Sequence, residues 1–339
     1  DNMDELEISK FIKLYPWLFL IFVLSFIFLY SVYLIYYPIY IPEPGISIYI
    51  PPKTSFKSIA DKLEKEGIIK SSFYLRVYGV LTNKHFNIKA GNYTFSGYLN
   101  IPKAMEILEK GGKGITIVFP EGLTLKEIND ILKNSGFNVD LTKFKLKDFP
   151  DLELVKYFPQ EANLEGFLAP DTYEFFKEED EKSIAYKFLK NFEKKFLPEF
   201  LKYPEKNFYE RLIIASILEK EAKYFEDMKI IAGILDNRLK INKKLEVDAT
   251  IAYVKCKKYP CNWKVTPKDI KNLDSPYNTY KNKGLPPTPI CNPGLNAIKA
   301  SLEPLLTEYL YYLTDKDGKV IFSKTLKEHQ NNIRKYLKD

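Results

Sequence analysis

The sequence predicts an α+β protein with a single N-terminal transmembrane helix, a small α/β module and then a larger, mixed α+β domain. Three observations carry that prediction. Residues Leu14 to Pro42 form an uncharged apolar run, a strand–helix–helix–strand pattern follows it, and helical and strand-like segments then mix irregularly to the end. The 339 residues suffice for two or three domains with a sizeable core, aromatics make up 15%, and no segment has the composition of a disordered chain.

The first element is the apolar run, within which Trp17 to Tyr37 is almost purely Leu, Ile, Phe, Val and Tyr. That length crosses a hydrocarbon layer of about 30 Å. A cleaved signal peptide has a shorter apolar core and ends at small residues. Here no alanine precedes Ala60, so the reading is a retained anchor over residues 14–42. Lys10 and Lys13 precede it, and the next basic residue is Lys53. The positive-inside rule therefore puts residues 1–13 in the cytoplasm and everything after the span outside.

The module spans residues 43–113. IPEPGISIYIPP exits into a strand, and two amphipathic helices follow, broken at Gly67 and capped at Ser71–Ser72. IKAGNYTF is a returning strand, and NIPKAMEILEKGG a short helix with a glycine stop.

The larger domain, 114–339, opens with an echo of the module. ITIVFPEGLTLKEINDILKNSG (115–136) aligns without gaps on ISIYIPPKTSFKSIADKLEKEG (46–67), each copy reading as strand, proline-containing turn and capped helix. Residues 115–160 are thus a repeat-like strand–helix subdomain, and 161–339 the core. Residues 138–206 read as polar helices and loops, 208–222 as a helix apolar on all sides, and 229–240 as another helix. After a proline-rich, loop-rich stretch over 241–300, YLYYLTDKDGKVIFS is a hairpin turning at DKDG, and a basic helix closes the chain.

The all-apolar helix suddenly carries Glu219 and Glu221. Burying a carboxylate among Ile, Leu and Ala costs several kcal/mol unless something compensates. On a helical wheel Leu212, Ala215, Ser216, Glu219 and Ala222 share one flank, and Glu221 lies roughly 160° from Glu219. The small flank lets a ligand approach, which favours Glu219 as the site-facing residue; the pattern leaves open which of the two is buried. A carboxyl in a partly apolar pocket has a raised pKa and protonates a glycosidic oxygen near neutral pH.

Other chemistries find little support. The two histidines, His85 and His329, lie in no metal or triad motif, and there is no phosphate-binding glycine loop. Cys291 with His329 is a conceivable thiol–imidazole pair that nothing local marks. Cys256 and Cys261 bracket a KKYP turn and can pair in an oxidising compartment; a zinc site lacks a marked fourth ligand. The net charge of +7 is spread as lysine among acids, which excludes a nucleic-acid stripe and suits an anionic surface or a merely solvated one. No cofactor is implied.

Several segments together resemble the endolytic murein transglycosylases, the YceG-like group. They are LEGFLAPDTYEF (164–175), SILEKEA (216–222), ILDNRL (234–239), LEVDATIAY (245–253), SPYNTY (275–280), GLPPTPICNPG (284–294) and YLYYL (309–313). The resemblance implies a single-pass enzyme of the cytoplasmic membrane, with a LysM-like module and an outer catalytic domain. Such an enzyme cuts peptidoglycan strands internally to leave a 1,6-anhydro-N-acetylmuramic acid end, and ends nascent strand elongation beside peptidoglycan synthases, the penicillin-binding proteins. Carried over by position, its catalytic residue is Glu219. Tyr277, Asn278 and Tyr280 offer faces and amides to N-acetyl sugars, or form a turn with Ser275. Asn237 and Arg238 orient the site or bridge helices, Asp248 steadies positive charge or caps a helix, and Glu165 and Asp171 line the cleft. The competing readings are a hydrolase with a second carboxylate and a non-catalytic wall-binding scaffold.

Overall fold

The computed structural model describes residues 2–337 except 52, 87, 113, 177, 178 and 258, and over residues 2–16 the backbone alone. The side chains of Lys10 and Lys13, from which the orientation is argued, therefore lie outside the described residues. The architecture is mixed α+β with two-stranded sheets only, among the described residues. It divides into two compact units, Asp1–Ile115 with Glu174–Glu178, and Thr116–Tyr173 with Glu179–Asp339.

In the first unit α1 (Asn2–Tyr36) contains a stretch, Trp17–Tyr36, long and apolar enough to cross a membrane. It ends just before Pro38, and β1 (Ile39–Ile50) begins at once. The expected span to residue 42 overshoots. Ile39, Tyr40 and Ile41 instead pair with Leu99, Tyr98 and Gly97 of β2 (Gly91–Leu99). Ile and Tyr suit a strand as well as a membrane helix, so composition did not separate the two; Pro38, which disfavours helix at the residue before it, is the local cue.

Between these strands lie α2 (Phe56–Lys65) and α3 (Ser72–Leu81), capped by Ser55 and Ser71, whose hydroxyls accept from Ser58 N and Tyr74 N. After β2 comes α4 (Ile101–Lys110), capped by Asn100. Ile59, Leu63, Leu75, Tyr93, Phe95, Met105 and Leu108 close the core between the helices and the sheet.

The second unit opens at Thr116 within β3 (Ile115–Phe119), which pairs with β4 (Asp171–Phe175), and continues into α5 (Leu125–Asn134). The echo in the sequence corresponds to one local geometry. Thr124 caps α5 as Ser55 caps α2, and Lys53 (φ 62°) and Gly122 (φ 78°) occupy the same left-handed position of the preceding turn. Next come α6 (Glu181–Lys195) and α7 (Leu197–Phe200). Phe158, Phe167, Phe192, Phe200 and Phe208 pack as a ring cluster with centroids 5.1–6.3 Å apart.

At the centre runs α8 (Phe208–Glu221), buried continuously from Leu212 to Leu218. Against it pack α9 (Phe225–Lys240), α10 (Asp248–Lys255) and, beyond α11 (Pro267–Asn272), α12 (Leu295–Leu302). A helix enclosed by three others must be apolar all round, which accounts for its sequence. The hairpin β5 (Tyr311–Thr314) and β6 (Val320–Ser323) turns through Asp315–Gly318, and α13 (Leu326–Tyr336) packs on both strands.

Candidate active site

After the buried run Leu212–Leu218, the last turn of α8 leaves the core at Glu219, Lys220 and Glu221. These three line a cleft of about 580 Å³, together with Glu121, Asn296 and residues of the β5–β6 turn. Glu219 is half-buried, and its Oε2 accepts a hydrogen bond from Gly294 N at 3.0 Å. Its Oε1 makes no hydrogen bond among the described residues. Burial pushes its pKa up to about 7, with the Gly294 N–H and the Lys220 charge opposing and the Glu121 charge assisting.

Glu221, whose placement the wheel left open, reaches the same cleft. Its Oε2 accepts from the Tyr312 hydroxyl at 2.9 Å, and burial likewise pushes its pKa up to about 7, aided by Asp248. The two carboxyls leave opposite sides of the helix, but the cavity wraps around the helix end. They differ in their partners: a phenol holds Glu221, and a single backbone N–H holds Glu219.

Two loops wall the cleft opposite α8, and Asn292 ties them together. It is 1% exposed. Its main chain exchanges bonds with the 122–123 loop, Gly122 N to Asn292 O and Asn292 N to Leu123 O, both 2.8 Å. Its amide donates to Leu123 O and Glu165 Oε1 and accepts from Leu168 N. Two residues on, Gly294 presents its N–H to Glu219. A Cβ on Gly294 would fall 1.9 Å from Glu121 Oε1, so glycine there makes room for a carboxylate. Sequence reasoning assigned no role to Glu121 or Asn292. The one local signal was a Glu–Gly pair where the first copy of the repeat has Pro52–Lys53.

An adjoining cavity of about 570 Å³ shares Glu221 and Thr314 with the cleft and collects Arg238, Asp248 and Tyr280. Tyr280 donates to Asp248 Oδ1 at 2.6 Å. The Arg238 guanidinium binds the carbonyls of Leu310, Lys244 and Leu245 and the Glu246 carboxylate, which fixes it as a bridge between segments. A third cavity, about 290 Å³, collects Glu165, Tyr253, Ser275 and Tyr277. Glu165 accepts from Leu125 N and the Tyr253 hydroxyl, and burial pushes its pKa up to about 8. Ser275 Oγ accepts from Tyr277 N, and the Tyr253 and Tyr277 rings stand 5.1 Å apart.

Asn237, Asn278 and Asp171 line none of these three cavities. Asn237 donates to Thr307 O, and buried Asn278 donates to Ile270 O and Leu273 O. Asp171 is bound by Lys195 and Asn191.

Cys256 and Cys261 form a disulfide. The stapled loop is tied to α5 through Tyr259 N on Asp130 and Cys261 N on Glu127, and Lys220 lies 3.8 Å over the Trp263 ring. Glu127 lies near both sulfurs, but a disulfide offers no thiolate for a metal. Cys291 is buried against Ser216 O with its thiol pKa pushed up, while His329 stacks on Tyr311, so the two do not form a pair.

With this geometry in view, comparison with known proteins is informative. The YceG-like family matches residues 48–335. The endolytic murein transglycosylase of Bacillus subtilis (strain 168) is 30% identical over 311 residues, which cover 86% of this chain and 85% of that protein. That of Streptococcus pneumoniae serotype 2 (strain D39) is 29% identical over 325 residues, 86% of this chain but 58% of that protein. Among solved structures, a yceG-like protein from Listeria monocytogenes is 32% identical, with a TM-score of 0.51 over 84% of this chain and 98% of that one.

Proposed function

The chain belongs to the YceG-like family and is a lytic transglycosylase, and we propose that it cuts peptidoglycan strands internally with Glu219 as its one acid–base residue. The bond is that from N-acetylmuramic acid to N-acetylglucosamine. Protonated Glu219 gives its proton to the glycosidic oxygen, and the C1–O bond breaks through an oxocarbenium-like state. The muramic 6-hydroxyl then bonds to C1, its proton passes to the Glu219 carboxylate, and the acid is restored. The product carries a 1,6-anhydro end. Intramolecular attack needs no water, and the nucleophile is already held beside the reacting carbon.

The observation that supports this most is the state of Glu219: half-buried, with a pKa near 7 and one oxygen without a partner among the described residues. Such a carboxyl is about half protonated at neutral pH and still basic enough to recover a proton. Activity that needs the acid form is present below that pKa and declines as pH rises through about 7. The apolar stretch Trp17–Tyr36 anchors the enzyme in the cytoplasmic membrane with the chain from residue 43 onward outside, beside the synthases whose strands it ends. Residues 43–113 serve as a LysM-like glycan-binding module.

The test is mass spectrometry of peptidoglycan digested by the full chain in detergent micelles, wild type against Glu219→Gln. Anhydro-ended fragments from the wild type only are expected, with activity lost by about 100-fold or more in the variant. Reducing-ended fragments would make the enzyme a hydrolase, and equal activity in both proteins would remove Glu219 from the mechanism.

A further inference from the structure

We propose that Glu121 is the second carboxylate of the reaction centre, seated against Gly294 beside Glu219, where it assists the acid before the bond breaks and offsets positive charge on the sugar as it breaks. The inference rests on Glu219 being the acid. It adds a residue that neither the helix nor its motif contains.

The argument begins with the place of Glu121. It lies on the turn before α5, exposed to solvent, and shares the cleft with Glu219. The turn is not loose. Gly122 N and Leu123 O are bonded to Asn292, Leu123 O also takes the Asn292 amide, and Thr124 caps α5 with Glu127 closing the box. On the far side, Gly294 leaves a notch that the Glu121 carboxylate fills. The same residue gives its N–H to Glu219. One backbone position therefore contacts both carboxyl groups, which brings them together in the cleft.

The charge of Glu121 is not neutralised locally. It makes no ion pair and no hydrogen bond among the described residues. Lys220, which also lines the cleft, lies over the Trp263 ring. The other charged groups of the cleft are Glu221, whose oxygen is held by Tyr312, Lys223 at the helix end and Asp317 in the β5–β6 turn. Within this set Glu121 is the carboxylate whose charge acts on Glu219, just as Asp248 acts on Glu221. A negative charge beside a carboxyl favours its acid form. The same charge is complementary to an oxocarbenium-like centre, where a fixed ionised group is most effective.

Acting through Glu219 makes Glu121 a positioning residue in the first role, and the test reads that role directly. The pH dependence of kcat/KM is measured on peptidoglycan with the full chain in micelles, for wild type, Glu121→Gln, Glu121→Asp and Gly294→Ala. Removing the like charge should move the alkaline limb down by about half to one pH unit and lower kcat about tenfold. Glu121→Asp, which keeps the charge, should return the limb toward the wild-type position. Gly294→Ala retains the N–H and has an ordinary φ of −81°, but its methyl occupies the notch; displacing Glu121 should move the limb in the same direction. An unmoved limb with kcat within about twofold in Glu121→Gln would overturn the proposal, since a merely space-filling residue leaves Glu219 titrating as before. These outcomes are separable from the mechanism itself. Failure of the lytic reading appears as reducing ends in wild-type product, and failure of the acid assignment as activity in Glu219→Gln, whatever the limb does in Glu121 variants.

Discussion

Replacing Glu165 by glutamine should change how the stability of the second unit depends on pH, and the structure sets both sign and size. Glu165 is 2% exposed, and burial pushes its pKa from about 4.5 to about 8. Below about 4.5 the folded and unfolded forms both hold the proton. Between about 4.5 and about 8 only the folded form does, so folding loses stability steadily as pH rises, and the loss is complete above about 8. At about 1.4 kcal/mol for each pH unit, the span amounts to at most about 5 kcal/mol. Glutamine mimics the neutral acid: its carbonyl takes the Leu125 N–H, and the Tyr253 hydroxyl turns to accept from its amide. At pH 6, about 1.5 pH units above the ordinary carboxyl value, the variant should therefore already be more stable than wild type by about 2 kcal/mol. At pH 9 it should be more stable by several kcal/mol. Glu219 and Glu221, also raised, bend both curves equally and cancel in the difference. Urea unfolding at pH 6, 7.5 and 9, followed by Trp263 fluorescence, measures this. Parallel pH dependences for the two proteins would refute the reasoning, because they would mean that Glu165 is ionised in the folded chain.

Asn292→Ala should cost about 2 kcal/mol, since it leaves the buried Leu168 N–H without a partner while Leu123 O keeps its bond from the main-chain N–H of residue 292; thermal unfolding checks this, and kcat should fall too because the Gly294 N–H follows two residues on. Replacing Cys256 and Cys261 by serine opens a short loop, worth about 2 kcal/mol in the chain-entropy account. Wild type in a strong reductant should then unfold at the temperature of the serine variant.

What was legible in the sequence was what adjacent residues decide. Ser71 caps α3 and the Asp315–Gly318 turn closes the β5–β6 hairpin through contacts within a few residues, so their signals are local. The helical wheel set Glu219 on the small flank of α8, because helix periodicity is local as well. It failed to bring Glu221 to the cleft, and the reason is distance along the chain. Tyr312, which holds Glu221, lies 91 residues away, and a wheel has no knowledge of where the helix stops being enclosed. The amides show the same division. Asn278 and Asn237 have the chemistry to bind a sugar, but whether they do depends on which carbonyls the fold delivers. Thr307 reaches Asn237 from 70 residues on, whereas Asn278 bonds to Leu273 nearby. Pattern alone does not distinguish an amide that recognises a ligand from one that closes a turn. Glu121 was the least legible of all. Its role depends on the juxtaposition of residues 121, 219 and 294, which only the folded chain makes, and the feature that permits it is an absent side chain at Gly294. A glycine in NPG reads as a turn former; that its missing Cβ is the seat of a carboxylate becomes apparent only when the loop around Asn292 is in place. The reacting groups of this site are thus read partly from the residues present and partly from the space one residue leaves.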